Sequence, residues 1–569
     1  MASIARKWMI SAAAIVALAG KPVIAQEGDA AKDLATCADA GKEADARLNA
    51  CNRSLDRDRN ASVRRWAMIL TYRALALKAK GDLDGAISVL NDAIATDPNF
   101  AVPYGARADI WRDRGDCGQA LADYDRLVQL APERAIVYVS RGSCWVQKGE
   151  YDPAMANFEE AIRLDRDNAS HVGALAWTMK AHLHYLKGDL DRALADYDEA
   201  TKLDADNKDG IAARAWTSKG QIRYAKGDLD GAIANYNEAI RLEPNDATLL
   251  AERGRIKSAK SNFDGALADF DQAIKLDPNN TAGAAALAWG LKAGLRFAKD
   301  DADGAIADYD QAIRLEPQSA ILYVDRGTVW GRKREFARAL ADFDQTIKLD
   351  PDNSRGAGAD AWNLKGRAQL VQGDSDGAIA AFEQAIRLDA KFAFAYQNLA
   401  DVLKEKGEYA RAAQSYDRAI ELGIKDLSVF ASRGLMRFYL GDFRKAAADF
   451  TESYRGNADA YSLLLLYLSL TRAGDNAKDA LTRGLSQLSS RDWPYPVLEL
   501  FLGQKSLEAV RGAAVNSDQR CELQYYAGEW YLLQQEHDPA RTALQAAVDS
   551  CPKDFVEFRA AAAELKRGL

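Results

Sequence analysis

The small and apolar positions of this chain recur in a fixed order. GDLDGAI stands at 81–87, and close variants follow: GDLDGAIANYNEAIRLEP at 227–244, SNFDGALADFDQAIKLDP at 261–278 and DADGAIADYDQAIRLEP at 301–317. Anchored on the first alanine of each copy, the register passes through Ala86, Ala120, Ala154, Ala193, Ala232, Ala266, Ala305, Ala339, Ala378, Ala412 and Ala446, in steps of 34 or 39 residues. Twelve residues before each anchor stands Gly or Ala, from Ala74 through Gly142, Gly220 and Gly254 to Gly434. Four after it stands an aromatic in every copy but the first, which has Leu90. A fixed period of this size marks an array of stacked units rather than a string of separate globular domains. Two apolar stretches lie outside the order. Residues 8–19 are too few to cross a bilayer, which takes roughly 20. YSLLLLYLSL at 461–470 is also too short, and predicts a helix buried between neighbours.

The 34-residue period, the small residue, the aromatic, and the prolines at Pro98, Pro132, Pro244, Pro278, Pro317 and Pro351 resemble the tetratricopeptide repeat. The resemblance implies an all-α solenoid of helix–turn–helix units, a right-handed superhelix of about 12–13 repeats with 34- and 39-residue units mixed. It implies that the Gly or Ala of helix A faces the anchor alanine of helix B, and that the aromatic fills the gap to the next unit. On this reading, residues 26–66 are N-terminal capping helices and 67–460 are eleven repeats. Residues 461–520 are a degenerate repeat with a helical hairpin, and 521–569 are a last repeat with a C-terminal cap. The longer units carry five extra residues, around 168–176, 207–215, 280–288 and 353–361, followed by Trp177, Trp216, Trp289 and Trp362. The expectation is an extra turn of helix A, with the Trp covering the widened seam.

A position that is usually apolar in the family is basic here: Arg73, Arg107, Arg141, Lys180, Lys219, Arg253, Lys292, Arg326, Lys365 and Arg433. Sixteen residues on, most copies carry an acid: Asp123, Asp196, Asp269, Asp308, Asp342 and Asp449. The matched signs predict a ladder of ion pairs between helices. The competing reading is a cationic track for an anionic ligand.

Composition narrows the function. The 569 residues carry 75 Lys plus Arg against 83 Asp plus Glu, with signs interspersed, and so lack the basic stripe of a nucleic-acid binder. Arg6 and Lys7, the apolar stretch and Val23-Ile24-Ala25 make residues 1–25 a secretory signal peptide, which places the chain in the periplasm or outside the cell. Export makes the six cysteines disulfide candidates. Cys37 with Cys51 would staple the N-terminal cap, and Cys521 with Cys551 would close the last hairpin. Cys117 and Cys144 remain, as a third pair or as small buried hydrophobes. The tail strings DQRCELQYYAGEW and DSCPKDF are similar to those of exported tetratricopeptide proteins of Gram-negative alphaproteobacteria.

No catalytic constellation stands out: the chain has no phosphate loop in context and no CxxC. His182 and His184 are two apart and point to different faces of a helix, so they do not make a metal pair. The reading is a non-enzymatic scaffold without cofactor or metal, which binds a protein or an extended peptide in its concave groove within the bacterial envelope. The family lines that groove with helix A side chains, and the matching positions include His182, Tyr185, Gln221, Tyr224, Arg255, Phe297, Arg367, Asp401 and Phe438. Tyr185, Tyr224, Phe297 and Phe438 share one repeat position and form either an aromatic binding stripe or packing between adjacent helices. The family's carboxylate clamp, built from Lys and Asn, is missing at these positions. The alternative function is a glycan-binding accessory for cell-wall or exported polysaccharide, since aromatic and amide groups also suit sugars.

Overall fold

The computed structural model describes residues 29–58, 61–456 and 459–568, and the expected signal peptide lies outside them. Among the described residues every regular element is an α-helix, 31 in all, paired helix–turn–helix along the chain. The chain forms two compact units, Met1–Ala288 and Trp289–Leu569. The first opens with a two-helix cap, Asp29–Ala38 and Ala44–Arg57, followed by the first repeat, Val63–Ala79 and Leu83–Thr96. The second carries repeats as far as Leu427–Tyr439 and Phe443–Gly456. A shortened pair (Ala460–Arg472, Lys478–Leu485), two short helices (Tyr495–Phe501, Leu507–Ala513), a last full pair (Ser517–Leu533, His537–Ser550) and a terminal helix (Val556–Arg567) follow.

The repeated string dictates the local structure. Its Gly takes the left-handed turn between helices, as at Gly227 (φ 79°), where a Cβ would be strained. Its first Asp then caps helix B: Asp228 accepts a hydrogen bond from the Gly231 N–H at 2.9 Å. Helix A packs on helix B at the small residue. A Cβ on Gly254 would stand 2.6 Å from the Phe270 ring, and one on Gly366 2.7 Å from Phe382. Both rings are fully buried. The aromatic covers the small residue of its own unit and also lies in one core cluster with helix A of the next, as Tyr236 does with Leu249 and Ile256 and Phe158 with Ala176 and Leu183. The Leu-rich helix Ala460–Arg472 buries Leu463 through Ser469 without interruption.

The extra residues of the long units do not add a turn to helix A. That helix spans 14 or 15 residues in these units, against 13 in Ala247–Ala259 or Ala320–Arg332. The remainder forms a loop closed by a carboxylate. Asp165 accepts from the backbone N–H groups of Ser170, Val172 and Gly173, each at 2.8 Å. Asn168, at φ 59°, accepts from Ala174 N–H at 3.0 Å. Asp204 with Asn207, Asp277 with Asn280, and Asp350 with Asn353 repeat the arrangement. The pair satisfies the orphan donors at the start of helix A. Burial opposes the charge, yet the backbone donors hold the carboxyls of Asp165 and Asp350 below their usual range. The tryptophans lie under lysines of the same helix, as Trp216 under Lys219 at 3.5 Å.

The ion-pair ladder is present and has a second side. Arg326 holds Asp342 through Nη2 at 2.6 Å and Nε at 2.9 Å, while its Nη1 reaches Asp310, on the preceding helix B, at 2.6 Å. Arg107, Arg253 and Arg433 do the same with Asp123 and Asn91, Asp269 and Asn237, and Asp449 and Asp417. Lys219 and Lys365 reach only backward, to Asp198 and Asp344. These cations are consumed within the protein, which removes the ligand-track reading for them. A second, exposed ladder that the family pattern did not flag links turns of successive units, as Lys226–Asp191 at 2.6 Å. Exposed pairs of this kind contribute little.

Two of the three candidate cysteine pairs lie at disulfide separation, with Cα–Cα distances of 4.8 Å for Cys37 and Cys51 and 5.1 Å for Cys521 and Cys551. The third pair is a correction: Cys117 and Cys144 are buried, unbonded thiols in one apolar cluster, and the Cys117 thiol donates to Gln147 Oε1 at 3.1 Å.

Gly254→Val is expected to destabilise the first unit by about 1–3 kcal/mol through overpacking on Phe270, read as a lowered urea midpoint. Arg326→Met strands the buried Asp342 carboxylate and is expected to cost about 3–5 kcal/mol. The Arg326→Met/Asp342→Leu double variant should recover most of that loss in the same measurement.

Candidate functional site

Most of the candidate groove residues already have partners inside the protein. His182 stacks on Tyr185, ring centroids 6.2 Å apart, and its burial lowers its pKa, which keeps it neutral. Gln221 is exposed. Tyr224 lies half-buried under the Arg255 guanidinium at 4.5 Å, and Glu252 holds that guanidinium at 2.7 Å. Phe297 lies half-buried under Arg332 at 5.1 Å. Asp401 accepts the hydroxyl of Tyr416, whose ring is part of the core. Phe438 is fully buried against Phe443, at 5.3 Å. Of the four rings at the shared position, Phe438 is fully buried and Tyr185, Tyr224 and Phe297 are half-buried. Phe438 is removed from the surface, because the terminal helix lies over it and Arg567 donates to its carbonyl oxygen at 3.3 Å.

Arg367 is different. It is exposed on helix Gly358–Val371 and lines a groove of about 760 Å³ with Asn363, Phe392, Phe394, Gln397, Asn398 and the loop 423–426. Helix Ala393–Glu405 supplies the far wall. Asn398 Nδ2 donates to the buried Asn363 Oδ1 at 2.8 Å, which fixes both amides. Phe394 is 61% exposed, although an aromatic of its size is ordinarily covered. Arg367 and Lys425 make no ion pair with any described residue. Asp426 is the acid on the rim, and its carboxylate caps the next helix through Ser428 N–H at 2.9 Å.

Asn363, Phe394, Asn398 and Lys425 were not among the candidates. Position counting along helix A leads to Arg367. Lys425 lies in an irregular loop that has no place in the repeat register. A second depression, of about 440 Å³ beside Ile321, is less open to a ligand because Arg355 is spent on the Gln318 carbonyl at 3.0 Å. The groove around Arg367 offers binding groups and no nucleophile with a base beside it.

Family models of the tetratricopeptide repeat match residues 106–169, 252–320, 324–391 and 363–426, and further ones match 174–207, 220–258 and 522–554. Together they account for more than half of the chain. The chain belongs to the tetratricopeptide repeat family. Such repeats are protein-interaction scaffolds, and no helix among the described residues is long and apolar enough to cross a membrane. Solved structures resemble this tetratricopeptide protein only loosely. Yeast Tom70 matches at 17% identity over 78% of this chain and 100% of its own, with a TM-score of 0.36. A tetratricopeptide repeat protein from Parabacteroides merdae matches at 20% identity over 45% of this chain and 98% of its own, with a TM-score of 0.33. PilF of Pseudomonas aeruginosa matches at 17% identity over 38% and 94%, with a TM-score of 0.34. At these scores none of them carries an argument about function.

Proposed function

We propose that this tetratricopeptide protein is a non-enzymatic scaffold that holds an extended, acidic and apolar segment of a partner protein in the groove between helices Gly358–Val371 and Ala393–Glu405. The observation that carries this reading is the pairing of two uncompensated bases, Arg367 and Lys425, with the exposed Phe394 over a floor of fixed amides. An acidic side chain of the partner would meet the two bases. The amides of Asn363, Gln397 and Asn398 would meet its backbone, and Phe394 would cover an apolar side chain. Because the walls are formed before binding, little ordering cost falls on the scaffold. We also place the protein in the bacterial envelope, as an exported member of the family. The basic and apolar layout of residues 1–25 and the two cysteine pairs at bonding distance support that setting.

A photo-crosslinker at position 394, used in cells, is expected to trap one dominant protein. Arg367→Glu/Lys425→Glu should weaken capture of that protein about tenfold or more, roughly 1.4 kcal/mol, with the melting temperature unchanged. Crosslinks to glycan, or capture indifferent to the charge reversal, overturn the groove reading. For the export reading, alkylation of unfolded, unreduced protein purified from the envelope is expected to label Cys117 and Cys144 alone. Labelling of all six cysteines without reductant would contradict it.

A further inference from the structure

An open end of a helical array needs only a polar cover. The terminal helix, Val556–Arg567, does more. It reaches back across the chain to residues more than a hundred positions earlier. Arg559 pairs with Glu405 at 2.7 Å. Arg567 donates to the carbonyl oxygens of Tyr439 at 2.7 Å and Phe438 at 3.3 Å, and its guanidinium lies over the Phe443 ring at 5.3 Å.

The inner side of this helix is held by buried ions. Glu557 and Glu564, seven residues apart, stand against Glu522 and Glu529, also seven apart, on helix Ser517–Leu533. The first pair is well served: Tyr526 donates to Glu557 at 2.8 Å, and Trp493 and Tyr461 donate to Glu522 at 2.7 and 2.9 Å. The second pair is not. Arg472, from helix Ala460–Arg472, is shared between Glu529 at 3.1 Å and Glu564 at 3.0 Å, and Glu564 also takes Arg567. Glu529 is fully buried, and its Oε1 has no hydrogen-bond partner. The neighbouring Tyr525 hydroxyl has none either. Two guanidiniums therefore face four carboxylates, with Tyr461, Tyr525 and Tyr526 the other titratable groups packed there.

A buried carboxylate with half its acceptors unused and a second carboxylate against it is stabilised by taking up a proton. Burial first, and Glu564 second, push Glu529 up to about 7. The seated helix is therefore most stable where Glu529 keeps its proton, and that stability is lost as pH rises from the ordinary glutamate value of 4.5 through about 7.

We propose that the terminal helix is a pH-controlled clasp. With Glu529 protonated it stays seated over Phe438, Tyr439 and Phe443, and with Glu529 ionised it lifts and uncovers that aromatic face.

The test is amide hydrogen exchange of the full chain at pH 5.5 and 8.5, normalised to the intrinsic rate at each pH. The expected result is that protection of 556–567 falls about tenfold or more at the higher pH, while helix Gly358–Val371 keeps its own. Glu529→Gln should hold 556–567 protected at both values. Equal wild-type protection at the two pH values, or a wild-type pH response in Glu529→Gln, overturns the clasp. If Glu529→Gln does not fold, the surface variant Glu405→Gln serves. It is expected to lower protection of 556–567 several-fold at both pH values and to leave the pH response intact. No change in protection would show that this helix is not held across the earlier repeats.

Discussion

Each full repeat depends on one close approach: a small residue of helix A set against a ring or branched side chain of helix B. At Gly142, Gly254, Gly327, Gly366 and Gly434 the partner is Phe, and a single added carbon would stand within 3.0 Å of it. Dense packing of this kind leaves no room to absorb a methyl group. At Ala108, Ala181, Ala293 and Ala400 the partner is Tyr, whose hydroxyl then needs its own acceptor. Asp109 serves Tyr124 at 2.6 Å, and Asp401 serves Tyr416. A residue that counts as a groove candidate by position is in this way committed to the core.

The arginine ladder follows from the same approach. Once the helices are this close, the base beside the small residue is largely withdrawn from water, and its charge must be met within the protein. Arg326 and Arg433 meet it twice, on their own helix B and on the one before, which ties successive units together. The lysines of the long units meet it with a tryptophan ring and one acid. The closed loops at Asp165, Asp204, Asp277 and Asp350 apply the same rule to the backbone, where a buried carboxylate takes the N–H groups that the start of a helix leaves over.

The groove and the cluster under the terminal helix each carry charge in excess of their partners. The groove at Arg367 and Lys425 has positive charge to spare and an uncovered ring, as a site for an external anionic and apolar segment requires. The cluster at Glu529 has negative charge to spare in a place with no access for a ligand, and a proton is the partner small enough to reach it.

The sequence by itself determined the repeat, the helix pairs, the small-residue contact and the near side of the ladder. Each of these is a local or fixed-interval relation, and a periodic chain repeats it until it is unmistakable. Only the tertiary structure decided which aromatic covers which small residue, and that the extra residues form loops closed by Asp and Asn rather than more helix. It also decided that Cys117 and Cys144 stay unbonded. The irregular placements were likewise beyond reach of the period. Lys425 enters the groove from a loop, and Arg567 covers Phe438 from 129 residues away. Glu529 and Glu564 read as ordinary surface residues of two helices, and only the docking of those helices on Arg472 turns them into a buried pair with too little positive charge to satisfy it.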